Sequence, residues 1–389
     1  MSFCESINLI NLLNMAEDSM PCRGRSSPGG DDRGAKSIAP RPGKMLGCQS
    51  ELKHRYFIRE TTLLEDNFGR KIEYLRLSVT DRCNLRCRYC MPVEGIEAIE
   101  HAEVLSYEEL LRIASVATRL GVKKIRITGG EPLVRRGIVD FIREMAVLPT
   151  RPEITLTTNG ILLADMAFEL RKAGLSRVNV SLDTLKEERF AQITRREGLS
   201  KVLAGLEAAD AAGLTPLKVN MVPLRGINHD EIADFARLTL DRTWEVRFIE
   251  FMPVSGGLEF TPEHMYPAAD IMEQLAKVGK LVPVLRHGPA GPARLFHYPD
   301  SPGRIGVIPA VSDHFCGECN RLRITSDGRI RPCLFSTEEI DLREALRNTS
   351  SDGELEKLLR NAACIKPRRH HIGEESFQQG KRRMHGIGG

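Results

Sequence analysis

The sequence predicts an α/β fold built as an incomplete, open parallel βα barrel. Three observations carry that prediction. Short β-branched runs alternate with amphipathic helical patterns six times between Tyr74 and Glu250, and such alternation builds parallel βαβ units. Gly121, Gly174 and Gly213 stand just past three of the helical patterns, where a left-handed residue ends a helix. Six units fall short of the eight that close a barrel.

The strands are expected at Tyr74–Val79, Lys124–Thr128, Glu153–Thr157, Arg177–Ser181, Leu217–Met221 and Glu245–Glu250. The helices are expected at Tyr107–Leu120, Ile138–Met145, Leu163–Ala173, Leu199–Ala212 and Glu231–Leu240. After about Pro262 the alternation fades. Pro283 to Gly306 is rich in Pro and Gly and is expected to wrap as loop. Leu342 to Leu359 reads as a charged helix, and the basic last stretch, Lys366 to Gly389, ends Gly386-Ile387-Gly388-Gly389.

Residues 1–60 are a different material. Pro21 to Pro42 is rich in Gly, Ser, Pro, Arg and Asp without periodicity, so this extension is expected to be disordered. The apolar run Ile7–Leu13 lacks the basic flank of a secretory signal. Glu5, Glu17, Asp18, Asp31 and Asp32 are foreign to an acid-poor mitochondrial presequence, which favours a cytoplasmic location over a mitochondrial matrix. An unstructured extension and a start at Met45 both fit. The expected organisation is 1–60 extension, 67–262 partial barrel and 263–389 C-terminal region.

Composition excludes several classes. The 389 residues are 41% hydrophobic and 28% charged, which is ordinary for a globular chain. Aromatics are 5% with one Trp, too few for stacking platforms that bind single-stranded nucleic acid. The net charge of +4 does not by itself demand a polyanion. No run of 18 apolar residues is present, so no transmembrane helix is expected.

Ten cysteines say more. Six fall in two groups of three: Cys83, Cys87, Cys90 and Cys316, Cys319, Cys333. That is a metal pattern, not a disulfide scaffold; Cys4, Cys22, Cys48 and Cys364 are scattered and read as silent. The first group, Cys-x3-Cys-x2-Cys, follows the first strand. Structural zinc wants four ligands, and the nearest candidate, His101, has no motif spacing. A 4Fe–4S cubane held by three thiolates leaves one iron open to an exchangeable ligand. A zinc site borrowing a distant ligand is the alternative on spacing alone.

The first group resembles the cluster motif of the radical S-adenosylmethionine (radical SAM) superfamily. The resemblance implies a 4Fe–4S cluster whose open iron chelates SAM and whose reduced form makes a 5′-deoxyadenosyl radical. It places Tyr89 beside the adenine. It also accounts for Gly129-Gly130-Glu131-Pro132 at the end of the second strand, where two glycines allow close backbone approach to the SAM amino group, and for Ser181 and Asp183 at the end of the fourth.

The second group, Cys-x2-Cys-x13-Cys, again has three ligands. A zinc ribbon completed by His314 is one reading; an auxiliary iron–sulfur cluster is the other, favoured by the radical SAM core upstream. Arg321 and Arg323, at i and i+2 of an extended segment, point the same way, and guanidiniums chelate phosphate well. Arg76, Arg126, Lys218 and Arg247 project from the expected strands as well. Buried cations in that number need anions, and a triphosphate supplies them where SAM does not.

From Asn67 to Gly389 the sequence resembles the GTP 3′,8-cyclase family (molybdenum cofactor biosynthesis protein A). The resemblance rests on Leu75-Arg-Leu-Ser-Val-Thr-Asp, the first cysteine group, Ile125-Arg-Ile-Thr-Gly-Gly-Glu-Pro, Thr157-Thr-Asn-Gly, Val180-Ser-Leu-Asp, Arg247-Phe-Ile-Glu-Phe-Met, His314-Phe-Cys-Gly-Glu-Cys-Asn-Arg-Leu-Arg and the Gly-Gly tail. It implies a lyase with two 4Fe–4S clusters and SAM. The radical removes the 3′ hydrogen of GTP and C3′ attacks C8, giving (8S)-3′,8-cyclo-7,8-dihydroguanosine 5′-triphosphate. This is the first step of molybdenum cofactor biosynthesis. A cyclic pyranopterin monophosphate synthase is then the pathway partner, and a flavodoxin- or ferredoxin-type protein the reductant. A homodimer, no nucleic acid and no membrane are expected.

By motif position the resemblance assigns Arg76, Arg126, Thr157, Lys218, Arg321, Leu322 and Arg323 to GTP. Tyr89, Gly130, Ser181 and Met252 go to SAM, and Arg247 to quenching of the aminoguanine radical. Gly388 and Gly389 are expected to thread into the active site. Tandem His370-His371 is expected to be solvated. Two rivals remain at this point: another radical SAM maturase with an auxiliary cluster, and a zinc-stabilised nucleic-acid-binding protein.

Overall fold

In the computed structural model the described residues run from 63 to 388, apart from 96–98, 253, 255–260, 286–290, 350, 373, 375–376, 378–379 and 381. The expected extension 1–60 and the final Gly389 lie outside them. The six expected strands form: β1 (Tyr74–Ser78), β2 (Lys124–Thr128), β3 (Glu153–Thr158), β4 (Arg177–Ser181), β5 (Lys218–Met221) and β6 (Glu245–Ile249). They pair in parallel in sequence order.

The crossover helices are α1 (Tyr107–Arg119), α2 (Ile138–Ala146), α3 (Leu163–Lys172), α4 (Glu187–Thr194), α5 (Leu199–Ala211) and α6 (Ile232–Asp241). Some of their ends are set locally. Ser106 and Glu109 form a reciprocal capping box at the head of α1, satisfying two donors the helix leaves open. Gly121 and Gly174 hold φ of +98° and +105° past α1 and α3. One face of each helix buries leucines and isoleucines against the sheet, such as Leu110 and Ile113 of α1.

Past β6 the chain departs from expectation. The segment read as loop contains two strands, β8 (Arg294–His297) and β9 (Arg304–Ile308), after a helix α7 (Ala268–Ala276) and a short β7 (Val282–Pro283). Glycine and proline flank Arg304–Ile308 and hid it, yet four of its five residues are buried, because it docks in parallel on β6. Then come β10 (Arg321–Ile324), β11 (Arg329–Arg331) and β12 (Ile340–Asp341). The charged helix splits into α8 (Arg343–Arg347) and α9 (Asp352–Cys364).

β10 pairs in parallel with β1 on the side away from β2. The sheet order is therefore β12-β11-β10-β1-β2-β3-β4-β5-β6-β9-β8-β7. Eight consecutive parallel strands are present, but β9 and β10 each turn to an antiparallel neighbour. The barrel stays open. One sheet runs through the expected boundary at 262, so the C-terminal region contributes strands to the barrel itself.

Candidate active site

The first cysteine loop leaves β1 and is tied down on two sides. From β2, Gly130 N–H donates to Thr80 O at 2.7 Å and Glu131 N–H to Arg82 O at 2.8 Å. From the end of α4, Thr194 O accepts from Arg86 N–H and Ile193 O from Arg88 N–H. Arg195, left-handed at φ +54°, adds hydrogen bonds to Arg86 O and Met91 O, both 3.1 Å.

The double glycine follows from this. A Cβ on Gly130 would stand 2.4 Å from Arg82 O and 2.6 Å from Asp81 O; one on Gly129 would stand 2.6 Å from Thr80 O. The close approach is to the cysteine loop's own backbone. Next to it, the buried Glu131 carboxylate accepts from Leu133 N–H, Thr158 Oγ1 and Asn159 N–H. Burial pushes its pKa up to about 7 against those bonds. Asn159 in turn donates to Asn84 at 2.7 Å and faces the Cys83 sulfur at 3.8 Å.

The second cysteine group is assembled by a hairpin. Cys316 and Cys319 sit in the turn before β10, and Cys333 follows β11. The 13-residue spacing is the antiparallel β10–β11 pair. Buried Lys366 ties both sides together, donating to Arg321 O at 3.0 Å and Pro332 O at 2.7 Å. Arg70 donates to Cys316 O at 2.7 Å and Pro367 O at 2.7 Å.

All six thiols are free and line one cavity of about 360 Å³ inside the open barrel. Among the described residues no three His, Cys, Asp or Glu side chains converge as a single-ion site requires. A cubane is a wider object, gripped by thiolates at its corners. The donor sets, three sulfurs each, fit iron–sulfur chemistry. Burial, with the neighbouring Cys83, raises the Cys90 thiol to about 12. At Cys319 burial also pushes upward, but Arg321 and Lys366 outweigh it and the thiol falls to about 6.

Near the first cysteines, the Tyr89 hydroxyl donates to Asp183, and Asp183 also accepts Val222 N–H at 2.9 Å. Burial raises both groups. Ser181, Met252 and Gly130 line the same space.

Deeper in, strand register arranges the cations. Arg323, Arg76 and Arg126 lie side by side on β10, β1 and β2. Thr157, Asn179, Lys218 and Glu245 form the next rung across β3 to β6. Glu245 holds Lys218 at 3.1 Å and Arg247 beside it. Glu153 does the same for Lys124 and Arg177. Part of the cationic excess is thus answered within the protein.

Arg126 donates to the Tyr74 hydroxyl and, at 3.1 Å, to Thr157 Oγ1. Burial alone would raise the Tyr74 pKa, but Arg126, Arg76, Lys124 and Arg321 outweigh it and bring it down to about 7. A phenol so displaced reports strong positive potential in a confined space.

The six cysteines, Tyr89, Gly130, Ser181, Met252, Arg76, Arg126, Thr157, Arg247, Arg321 and Arg323 line the cavity. Leu322 does not. Alternation along β10 turns its side chain into the main hydrophobic core, with no exposure, which leaves its backbone for the expected substrate role. Lys218 is not among the lining residues either; it is buried on Glu245, in register with the cavity-lining Asn179. Gly388 is reached by Arg76 and Arg323. His370, expected in solvent, is buried, with its ring nitrogen 3.0 Å from Ala310 O and its ring edge-on to His314; only His371 is exposed. Sequence reasoning missed Tyr74, Glu245, Asn179 and Lys366. Tyr74 was accessible to it, being two residues before Arg76 on the same strand face.

The chain matches the radical SAM superfamily over residues 77–239 and the molybdenum cofactor synthesis C family over residues 244–372. These matches meet at β6, ahead of 262. The crystal structure of Streptococcus suis SuiB bound to S-adenosylmethionine aligns over 74% of this chain and 69% of that one. Its TM-score is 0.51 at 16% identity, a shared fold. Fold and cysteine loop define a radical SAM enzyme.

Two curated relatives are closer in sequence. The GTP 3′,8-cyclase of Geobacter sulfurreducens is 50% identical over 84% of this chain and 99% of its own length. That of Pelotomaculum thermopropionicum is 46% identical over 84% of this chain and 100% of its own. The chain belongs to the GTP 3′,8-cyclase family. Among the described residues no helix is long and apolar enough to cross a membrane.

Proposed function

We propose that this enzyme cyclises GTP to (8S)-3′,8-cyclo-7,8-dihydroguanosine 5′-triphosphate, the first step toward the molybdenum cofactor, with two iron–sulfur clusters facing one cavity. The observation that carries the reading is that both cysteine triads and the Arg76–Arg126–Arg323 row line the same space. Cys83, Cys87 and Cys90 would hold a cubane with an open iron, and Cys316, Cys319 and Cys333 a second. A reduced first cluster with SAM supplies 5′-deoxyadenosyl radical chemistry.

The protein's own groups position and shield. Tyr89, fixed by Asp183, presents a ring to the adenine, with Gly130, Ser181 and Met252 around SAM. Arg76, Arg126, Arg321 and Arg323 neutralise the triphosphate, assisted by Thr157 and by Lys218, which Glu245 holds. Arg247, aligned by Glu245, assists delivery of a proton and an electron to the aminoguanine radical of the cyclised substrate. The tail closes the space at Gly388, whose carbonyl Arg76 and Arg323 hold. A flavodoxin- or ferredoxin-type reductant, a cyclic pyranopterin monophosphate synthase downstream and a homodimer complete the reading.

The test is a triple Cys316→Ser/Cys319→Ser/Cys333→Ser variant, reconstituted anaerobically. It should hold about four irons where the wild type holds about eight, one cubane against two. It should retain SAM binding and lose guanine-nucleotide binding. Equal iron content in the two proteins would remove the second cluster.

A further inference from the structure

The C-terminal tail runs between two fixed points. At its inner end the Gly388 carbonyl accepts from Arg76 Nε and Nη2 at 3.2 and 3.0 Å and from Arg323 Nη1 at 3.3 Å. Gly388 holds φ +76°, and a Cβ there would meet Thr128 Oγ1 at 2.6 Å. At its outer end Arg382 forks onto Asp327, Nη1 to Oδ1 at 3.1 Å and Nη2 to Oδ2 at 2.7 Å. Its Nε donates to Glu339 Oε2 at 3.0 Å. Asp327 lies in the turn joining β10 and β11, and Glu339 immediately precedes β12.

Between the anchors the chain makes one short turn, Met384–Ile387, with Ile387 fully buried. We propose that the Arg382–Asp327–Glu339 clamp is a positioning device that sets how deeply the glycine tail reaches among the substrate-facing arginines. The proposal rests on the active-site reading above.

The physical argument is one of tethering. A glycine carbonyl is a weak, neutral acceptor, and the same arginines attract any anion in the cavity. Holding the tail at one end raises the effective concentration of the other, provided that the tether's length matches the span. The anchor has the rigidity a tether point needs. A two-pronged, charge-assisted contact has defined geometry, and the three side chains are only 14–26% exposed. Asp327 sits on the hairpin that places Cys319 and Cys333, and Glu339 on the connection that follows Cys333, so tail depth is referenced to the site itself. Glu339 is further held by Arg331.

The experiment compares reconstituted wild type, Arg382→Gln and Arg382→Lys with a variant carrying two extra glycines between Arg383 and Met384. Hydrogen exchange over residues 384–388 is read without nucleotide; kcat and KM are then read with GTP. Arg382→Gln is expected to keep its iron, exchange its tail at least about tenfold faster and lose about tenfold in kcat with little change in KM. Arg382→Lys, which keeps the charge without the fork, should fall between. The glycine insertion leaves the clamp intact but alters the reach, and should lower kcat comparably.

Unchanged tail exchange in Arg382→Gln overturns the proposal, as does faster exchange with wild-type kcat. If Arg382→Gln loses iron, the insertion variant decides: reduced kcat at full iron content supports the clamp, and wild-type kcat refutes it. A wild type inert toward GTP would sink the functional reading instead, and the exchange data would still judge the clamp.

Discussion

Substituting Gly130 by alanine tests the view that the double glycine exists to seat the cysteine loop. The added Cβ would lie 2.4 Å from Arg82 O, 2.6 Å from Asp81 O and 2.7 Å from Arg82 C. All three are backbone atoms, so no flexible side chain can give way. Restoring a contact of ~3.5 Å needs about 1 Å of separation between the β2 end and the loop. That motion breaks Gly130 N–H to Thr80 O and Glu131 N–H to Arg82 O, now 2.7 and 2.8 Å. Two such bonds contribute ~1 kcal/mol each, and overpacking costs ~1–3 kcal/mol. A total of ~3–5 kcal/mol corresponds, for a folded part of this size, to a melting point about 4–7 °C lower. Cys83 lies in the displaced loop, so reconstituted iron should drop as well. Gly317→Ala is the control, lying between two cysteines with nothing within 4 Å of its Cβ position. The assays are thermal unfolding and iron content after anaerobic reconstitution. A Gly130→Ala protein with wild-type melting and full iron would refute the reasoning.

Three further outcomes follow from the site. Asp183→Asn removes the charged partner of Tyr89; since hydrogen bonds to charged groups contribute ~1.5–3 kcal/mol, SAM affinity in equilibrium dialysis should weaken by about tenfold or more, and an unchanged affinity contradicts the adenine-side role. Glu245→Gln leaves Lys218 and Arg247 without their carboxylate, which costs ~3–5 kcal/mol when a buried pair is broken; the melting point should fall, and added triphosphate should recover part of it. For the iron-free chain, Tyr74 is held at about 7 by nearby cations that outweigh burial. Lys218 is brought down to about 7 and Lys124 to about 8, each by burial and then a neighbouring arginine. Their unfolded values lie near ~10, so between pH 7 and 8.5 the unfolded chain binds more protons and stability must rise with pH; a flat or falling midpoint in denaturant over that window would contradict it.

How much of this was legible in the sequence depends on whether a feature is local. The parallel core was, because period-2 and period-3.6 patterns need no distant partner: β1 to β6 stand within a residue or so of their expected places. β9 was not. Its five residues, Arg304–Ile308, sit in a Pro- and Gly-rich frame and become a strand only by docking on β6. α4, eight residues long with no side-chain cap, carried too short a pattern, yet its end supports the cysteine loop.

The site divides along the same line. Cysteine spacing marked out the two thiol triads, while the β10–β11 hairpin that explains the 13-residue gap is tertiary. Arg76, Arg126, Arg321 and Arg323 could be read as cations on one face. That Glu245 neutralises Lys218 and Arg247 follows from the register of β5 on β6, which no single segment encodes. Leu322 shows what position within a motif leaves out: strand alternation sends its side chain into the core. His370 was misread for want of its long-range partner, Ala310 O.

The central claim is that SAM and GTP chemistry meet in one cavity between two thiolate triads. Its most direct measurement is a single anaerobic incubation of reconstituted enzyme with SAM, dithionite and GTP, followed by mass spectrometry. The account predicts 5′-deoxyadenosine whose formation depends on GTP, together with a cyclised product isobaric with GTP. Deoxyadenosine formed at the same rate without GTP, and GTP recovered unchanged, would contradict it.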